Sequence, residues 1–421
     1  MPMMAAYLIA SALLLGAPSA SAAGESIHGT LQEGGPSGAP VAGAVITVSS
    51  QSGFVGVATS GADGTWEVPV PGPGTYQVAL DAASLPQGVT LRDPGHAVLS
   101  DVEVRAGQRK AVVFALGERV VQTAGWPSRL LNLAAKGLVY GAIVALASLG
   151  LSLIFGVTGL VNFAHGELVT FGAVVAWYFN ASATGPHLQL LLAVLPALLL
   201  SGLLGAGLER GLFRPLRRRR TGTVALIVVS IGLSLFIRHI FLVFIGGAPH
   251  AFDQYAVQAQ QSFGPVSLPP KDVAIVGASL VVMAAVGLML RHTRLGTAMR
   301  AVADNKDLAE ASGISVDRVI LYTWVLGAAL AGLGGIFLGI TQTVQWDMGF
   351  VLLLTMFAAV VLGGIGTAYG AALGGLIIGV TTEASTFWIP VEFKVVVSLA
   401  VLILVLMVRP QGLFGVKERV G

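Results

Sequence analysis

The chain has 421 residues, 55% of them hydrophobic and only 11% charged, with 55 glycines and a net charge of +3. A soluble domain averages about 25% charged residues and about 7% glycine, so the composition excludes an ordinary globular protein or a disordered chain and indicates lipid-facing helices whose backbones approach closely. No basic run is interleaved with aromatics as on a nucleic-acid surface, and the lack of cysteine excludes disulfides, thiol catalysis and cysteine-ligated metals.

Residues 1–22 carry an apolar run from Met3 to Ala17 and then Ala20-Ser21-Ala22, the small-x-small pattern that signal peptidase accepts. The expectation is a signal peptide; no Lys or Arg precedes the run, so a retained anchor is the alternative. Residues 23–118 turn rich in Gly, Pro, Ser, Thr and Val and alternate over Ala44–Val48, Trp66–Val70 and Tyr76–Leu80, which predicts short strands. Asp63-Gly64 predicts a hairpin turn and Pro73-Gly74 another turn, because glycine adopts positive φ cheaply. The succession through Pro40–Val45, Asp63–Trp66 and Pro73–Tyr76 resembles the transthyretin-like, carboxypeptidase-regulatory-type β-sandwich, which implies a fold and no activity. His28 and His96 stand alone and read as solvated loop histidines, with no metal site. Residues 119–132 read as a linker.

Beyond it the apolar runs lengthen toward the roughly 20 residues that a helix needs to cross the hydrocarbon core. Membrane spans are expected near 133–155, 163–179, 188–208, 223–245, 272–290, 319–341, 350–365, 370–387 and 392–408. The fold class is thus a polytopic α-helical membrane protein of eight or nine spans over 133–416, preceded by a small all-β sandwich. The shorter spans near 163 and 350 are alternatively re-entrant half-helices.

Lys and Arg are retained on the cytoplasmic side of a membrane, which gives an independent reading of topology. Loop 209–220 carries Arg210, Arg214 and Arg217 to Arg220; loop 291–318 carries Arg291, Arg294, Arg300, Lys306 and Arg318; the tail carries Arg409, Lys417 and Arg419. All fall on one side of a nine-span chain, against Lys271 and, at a span edge, Lys394 on the other. This puts the β domain outside and the tail, 417–421, in the cytoplasm.

No Gly-x-x-x-x-Gly-Lys-Ser/Thr phosphate loop, nucleophile elbow or His-Glu-x-x-His helix occurs, so the chain reads as a non-enzyme without cofactor whose ATP, if any drives it, is hydrolysed by a partner. The most informative segment is Gly156–Glu167, which sets Asn162, His165 and Glu167 between two apolar spans, where polar groups are costly unless they face a cavity or protein interior. Asn162 is placed to cap the following helix, and a helix N-terminus at membrane depth suits a carboxylate. Simple capping and tight packing of two spans is the alternative. Gly363-Gly364-Ile365-Gly366 and Gly374-Gly375 would let a second broken helix approach the first at a midplane site, or merely pack tightly. Loop 291–318 has the Ala309-x-x-x-Gly313 spacing of a short helix ending at glycine, and is either a lever or a solvated charged loop. Asp347, Glu383 and the Glu392–Lys394 pair sit near span ends, where exposure or mutual pairing is expected.

Val161-Asn162-Phe163-Ala164-His165-Gly166-Glu167 resembles the corresponding segment of the branched-chain amino acid ABC permease family. The resemblance continues through Thr293–Ala301, Ala309 with Gly313-Ile314 and Asp317–Val319, Val361–Gly366 with Gly370, and Arg409–Gly415, so it covers about 130–416. It implies a pore-forming importer subunit paired with a homologous permease, two cytoplasmic ATPases and an extracytoplasmic binding protein delivering leucine, isoleucine or valine. Asn162, Phe163, His165, Gly166, Glu167, Gly363, Gly364 and Gly366 are then the translocation-path candidates. Arg294, Gly296, Arg300, Ala309, Gly313 and Arg318 are the candidates for contact with the ATPase. Glu310-Ala311-Ser312 departs from the Glu-Ala-Ala triplet common in ABC permeases. The β domain is a further departure, and is expected to steady the binding protein or contact the cell envelope. Permeases for urea or short-chain amides, which more often carry methionine where Phe163 stands, are the nearest rival; a β-domain membrane receptor and a passive channel are the others.

Overall fold

The computed structural model describes residues 25–33, 38–91, 93–104, 109–117, 125–255, 258, 260–409 and 411–414. The expected signal peptide and the 417–421 tail lie outside the described residues. The chain forms two compact units, divided between residues 122 and 123.

The first unit is a sandwich of two sheets. One has the strand order β4 (Thr65–Pro69), β1 (Ser26–Thr30), β7 (Arg109–Ala111), with β7 parallel to β1. The other is antiparallel, in the order β3 (Val55–Thr59), β2 (Val45–Ser50), β5 (Gly74–Leu80), β6 (Val98–Val104). Strand alternation turns Ile46, Val48, Trp66, Val68, Tyr76 and Val78 inward, and with Ile27 and Phe114 they make one core. Gly64 has φ +74°, as a Gly-dependent turn requires, but it joins strands of different sheets and no hairpin forms. The reason is steric: a Cβ there would meet the Leu31 carbonyl at 2.4 Å, so the turn is folded against the neighbouring strand end. His28 is not in a loop either. It sits on β1 with Nδ1 buried and without a partner, whereas His96 is exposed beside Asp93 at 2.7 Å.

The second unit is helical. Its elements are α1 (Trp126–Thr158), α2 (His165–Asn180), α3 (Leu190–Leu208), α4 (Thr223–Ile245), α5 (Pro270–His292), α6 (Arg294–Asp304), α7 (Lys306–Ala311), α8 (Val316–Thr341), α9 (Met348–Gly363), α10 (Ala368–Ser385) and α11 (Lys394–Val408). A π turn over Glu209–Phe213 carries α3 on to Arg218, and a small hairpin, β8 (Gln261–Phe263) with β9 (Val266–Leu268), precedes α5. The first helix thus begins seven residues ahead of the expected span, inside the segment read as a linker. Among the described residues, six helices are long and apolar enough to cross a bilayer; α2 and α9, 16 residues each, and α10 fall short of that test. At 1.5 Å per residue α2 and α9 reach about 24 Å against a hydrocarbon core of about 30 Å. Two of the nine expected spans are therefore short helices following a break.

One succession occurs twice: a long helix, a break, a 16-residue helix, then two more helices, as α1–α4 and α8–α11 with α5 between. An odd number of crossing elements separates the copies, so they run in opposite directions. Glycine sets their contacts. A Cβ on Gly150 of α1 would meet the Gly327 carbonyl of α8 at 2.5 Å, and one on Gly379 of α10 would meet Gly141 Cα of α1 at 2.1 Å. On the other long helix, Gly205 of α3 lies against the Trp324 carbonyl of α8, at 2.6 Å from an added Cβ. Such proximity is what lets helices associate where lipid supplies no hydrophobic drive.

Two outcomes follow. Gly379→Val forces backbones apart and abolishes a monodisperse detergent-solubilised peak, whereas Gly207→Val, with open space around its Cβ position, leaves the elution profile intact. In the β unit, burial and Arg109 hold His28 below its ordinary pKa, so the folded state favours the neutral ring. That stabilisation is present above the unfolded value, about 6.5, and is lost as pH falls below it. The melting temperature of a 23–118 fragment should fall between pH 7.5 and 5, with His28→Gln flattening the dependence.

Candidate functional site

The break after α1 is built from local hydrogen bonds. Thr158 Oγ1 donates to the Ile154 carbonyl at 2.6 Å and accepts from Leu160 N at 3.1 Å. Gly159 has φ +70°, and its N–H closes the last turn on the Phe155 carbonyl at 2.7 Å. The chain then returns along α1 to the start of α2, where His165 Nε2 lies 3.1 Å from the Ala147 carbonyl. A carbonyl only accepts, so Nε2 carries the proton. Ala147 is eleven residues before Thr158, which is about 16 Å along the axis, near half the hydrocarbon thickness. The N-terminus of α2, with its positive dipole end, therefore lies about 16 Å inside the end of α1.

Asn162, His165 and Glu167 are all fully buried there. Asn162 does not cap α2, as its sequence position predicts; Ala164 holds that place, and Asn162 Oδ1 instead accepts from Ala164 N at 3.0 Å in a local turn. Two extra residues of turn precede the helix, which moves the cap past Asn162. The wall opposite is a polar stripe on α4: Ser230, Ser234 and Arg238, spaced by four and all buried. Ser230 Oγ accepts from Phe163 N at 3.1 Å, Ser234 Oγ donates to Glu167 Oε1 at 2.8 Å, and Arg238 Nε stands 4.0 Å from the same carboxylate oxygen. The Arg238 guanidinium also lies over the Phe350 ring, 3.8 Å from its centroid. Buried polar atoms normally find partners, yet Asn162 Nδ2, His165 Nδ1, Glu167 Oε2 and Arg238 Nε have none. Donors, an acceptor and opposite charges with unused capacity thus gather at a helix N-terminus.

The second break meets the first. Residues 342–347 lead from α8 into α9, with Val344 and His250 exchanging backbone hydrogen bonds at 2.7 and 2.9 Å. Gly349, in the first turn of α9, packs so tightly on α2 that its Cβ would lie 1.9 Å from the Gly166 carbonyl. Thr170 Oγ1 accepts from Gly349 N at 3.0 Å, and the Phe163 and Phe357 rings meet tilted at 53°, with centroids 5.1 Å apart.

The late glycines lie elsewhere. Gly363, Gly364 and Gly366 are at the far end of α9, where Gly363 packs on Gly370 and Gly366 on Gly156 of α1. Leu413 N and Phe414 N bond the Leu362 and Gly363 carbonyls there, at 2.8 and 3.0 Å, which anchors the closing motif. The expected approach of two broken helices is real, but Gly349 makes it. Of the run, Gly366 lines a cavity of about 570 Å³ with Gly156, Arg291, Arg300 and Tyr369, which brings it to Arg300 of the ATPase-contact candidates. Of those, Arg294, Arg300 and Arg318 are exposed, Gly296 and Ala309 are buried, and Gly313 ends α7 with φ +84°. Asp317 pairs with Arg214 and Arg218, and buried Glu209 with Arg217. Lys394 pairs with Glu383 at 2.5 Å rather than with Glu392, because the helix start turns it toward α10.

Arg238, Ser230, Ser234, Thr170 and Gly349 escape a reading of the sequence by loops and runs. A four-residue polar period within an otherwise apolar span was the available signal, since it puts Ser230, Ser234 and Arg238 on one helix face. Among the described residues, no three His, Asp or Glu side chains are grouped to hold a metal ion.

Residues 133–406 match the model of the family described as branched-chain amino acid transport system permease component. The chain belongs to this family. Its members are membrane transport subunits and not enzymes. The high-affinity branched-chain amino acid transport system permease protein LivH of Salmonella typhimurium is 33% identical over 294 residues, 67% of this chain and 94% of LivH. BraD of Pseudomonas aeruginosa, a permease protein of the same description, is 30% identical over 67% of this chain and 95% of its own. The ribose import permease protein RbsC of Escherichia coli is 28% identical over 62% and 82%. No solved structure matches. Residues 26–117 match the carboxypeptidase regulatory-like domain, so this permease carries a β domain that the 94% coverage of LivH leaves unpartnered.

Thr170→Val leaves the buried Gly349 N–H without an acceptor and should cost the permease about 1–3 kcal/mol of stability. Thermal unfolding in detergent reads this as a lowered midpoint that Thr170→Ser restores.

Proposed function

We propose that the chain is the pore-forming subunit of an ATP-driven importer of branched-chain amino acids, and that the paired breaks form its substrate path. The observation that carries the reading is the set of unsatisfied buried groups at the α2 N-terminus, on Asn162, His165, Glu167 and Arg238. An α-amino acid is a zwitterion. Its ammonium suits the free oxygen of Glu167, and its carboxylate suits Arg238 and the positive helix end. The crowded glycines and the Phe163–Phe357 pair provide an apolar surface for a branched side chain. Names borne by the relatives, LivH and BraD, support the same substrate class. A sugar, as the name of RbsC would imply, or urea carries no charge to pair with the buried Glu167 carboxylate and Arg238 guanidinium, whereas a zwitterion pairs with both.

The concentration of Arg and Lys at one face supports a cytoplasmic location for α6, α7 and the C-terminus, with the β unit outside. A second permease, two ATPases and an extracytoplasmic binding protein complete the assembly. The β unit then shares a compartment with the binding protein and steadies it. No bond is made or broken in this subunit; ATP and the loaded binding protein bias two conformations differently.

The test is ATP-driven uptake of labelled leucine, ribose and urea into vesicles holding the complete assembly. Leucine should accumulate, and Glu167→Gln or Arg238→Gln should reduce its uptake by about tenfold or more while leaving assembly intact. Ribose or urea uptake in place of leucine would remove the amino acid reading. Parental leucine uptake by both variants would remove the path.

A further inference from the structure

The 291–318 segment is a folded device rather than a tether. α6 buries Met299 and Val302, and α7 buries Ala309, all within the cluster around Trp324 and Phe213, while Gly296 packs on the Met289 and Leu290 carbonyls at the end of α5. Leu308 remains 65% exposed on α7, free to meet another protein. Lys306 opens α7, and its Nζ donates to the Thr158 carbonyl of α1 at 2.9 Å. That carbonyl terminates α1, where the last four carbonyls lack intrahelical partners and the dipole is negative, so an ammonium is stabilised by both. The groups facing Lys306 are Arg217, which repels it and is itself held by Glu209, and Asp307, which attracts it. Directly after Thr158 comes Gly159, and then the strap bearing Asn162 and Phe163, which leads into α2 at His165.

The same arrangement recurs in the second half. Lys271, at the start of α5, donates to the Ile340 carbonyl at 3.0 Å, one residue before α8 ends and its strap begins. Two lysines from outside the repeated units thus hold the ends of the two long helices, each immediately before a break. Since the two halves run oppositely, the clamps lie at opposite faces of the bundle.

We propose that Lys306 is the positioning residue that transmits movement of α6–α7 into the 158–164 strap, with Lys271 its counterpart at the opposite face. The proposal rests on the importer reading above. A shift of α7 against α1 breaks or drags a charge-assisted hydrogen bond on the last residue before the break, so displacement at the surface reaches Asn162 and His165 through six residues of chain. A loop that only fastens an ATPase would need no such bond.

The experiment uses the complete assembly in proteoliposomes and measures labelled leucine taken up per ATP hydrolysed. Lys306→Met should assemble and keep the wild-type basal ATPase rate, while leucine transported per ATP falls about tenfold. Lys306→Arg, which still donates to the carbonyl with a charged group, should retain more than about half of the wild-type ratio. If Lys306→Met does not assemble, Lys306→Gln takes its place under the same criterion. A wild-type ratio in the charge-removing variant, or a loss in Lys306→Arg equal to that in Lys306→Met, overturns the proposal. Absence of ATP-driven leucine uptake in the wild-type assembly would instead overturn the importer reading.

Discussion

Backbone inside a bilayer has no water to bond, so a non-helical stretch at that depth persists only when surrounding protein supplies its partners. The helical unit depends on meeting that demand twice. At the first break the partners are Asn162 Oδ1, Ser230 Oγ, Thr158 Oγ1 and the Lys306 ammonium; at the second they are the His250 backbone, Thr170 Oγ1 and the Lys271 ammonium. Each break leaves a 16-residue helix whose positive end lies inside the bundle. Glycine then lets the two ends touch, at Gly166 and Gly349.

That arrangement explains why the polar residues concentrate where they do. A charge on α4 would be intolerable against lipid, but Arg238 faces Glu167 and Phe350 across a narrow interface. The interface is polar on one face only, while Val224, Val228, Phe236, Val243 and Phe244 on α4 are exposed. Such a helix is held to its neighbour by few, specific bonds. The long helices are different in kind. Their glycine contacts are backbone against backbone, with no slack, so α1, α8 and α10 form a tightly packed frame.

Much of this was legible in advance. Length and hydropathy located every long helix, because burial in lipid demands an unbroken apolar run. The alternation near Val45, Trp66 and Tyr76 announced strands, and Ala309-x-x-x-Gly313 announced the end of α7. Errors came where a local signal had two tertiary solutions. Asp63-Gly64 is the same dipeptide whether it closes a hairpin or switches sheets. Asn162 is a good cap in isolation, yet a turn displaced it by two residues. The Gly363–Gly366 run looked like the second break because glycine marks close approach without naming the partner.

The sequence by itself determined the class of the molecule: a β unit ahead of a glycine-rich helical membrane body, with polar residues at one interruption and arginines in particular loops. These properties follow from composition and period, which act within a window of a few residues. Only the tertiary structure decided that Glu167 meets Ser234 and Arg238, that Gly166 meets Gly349, and that Lys306 and Lys271 end the two long helices. Those partners are separated by 67 to 183 residues along the chain or belong to different halves, and what selects them is whether backbones can approach and buried polar groups can be satisfied at once.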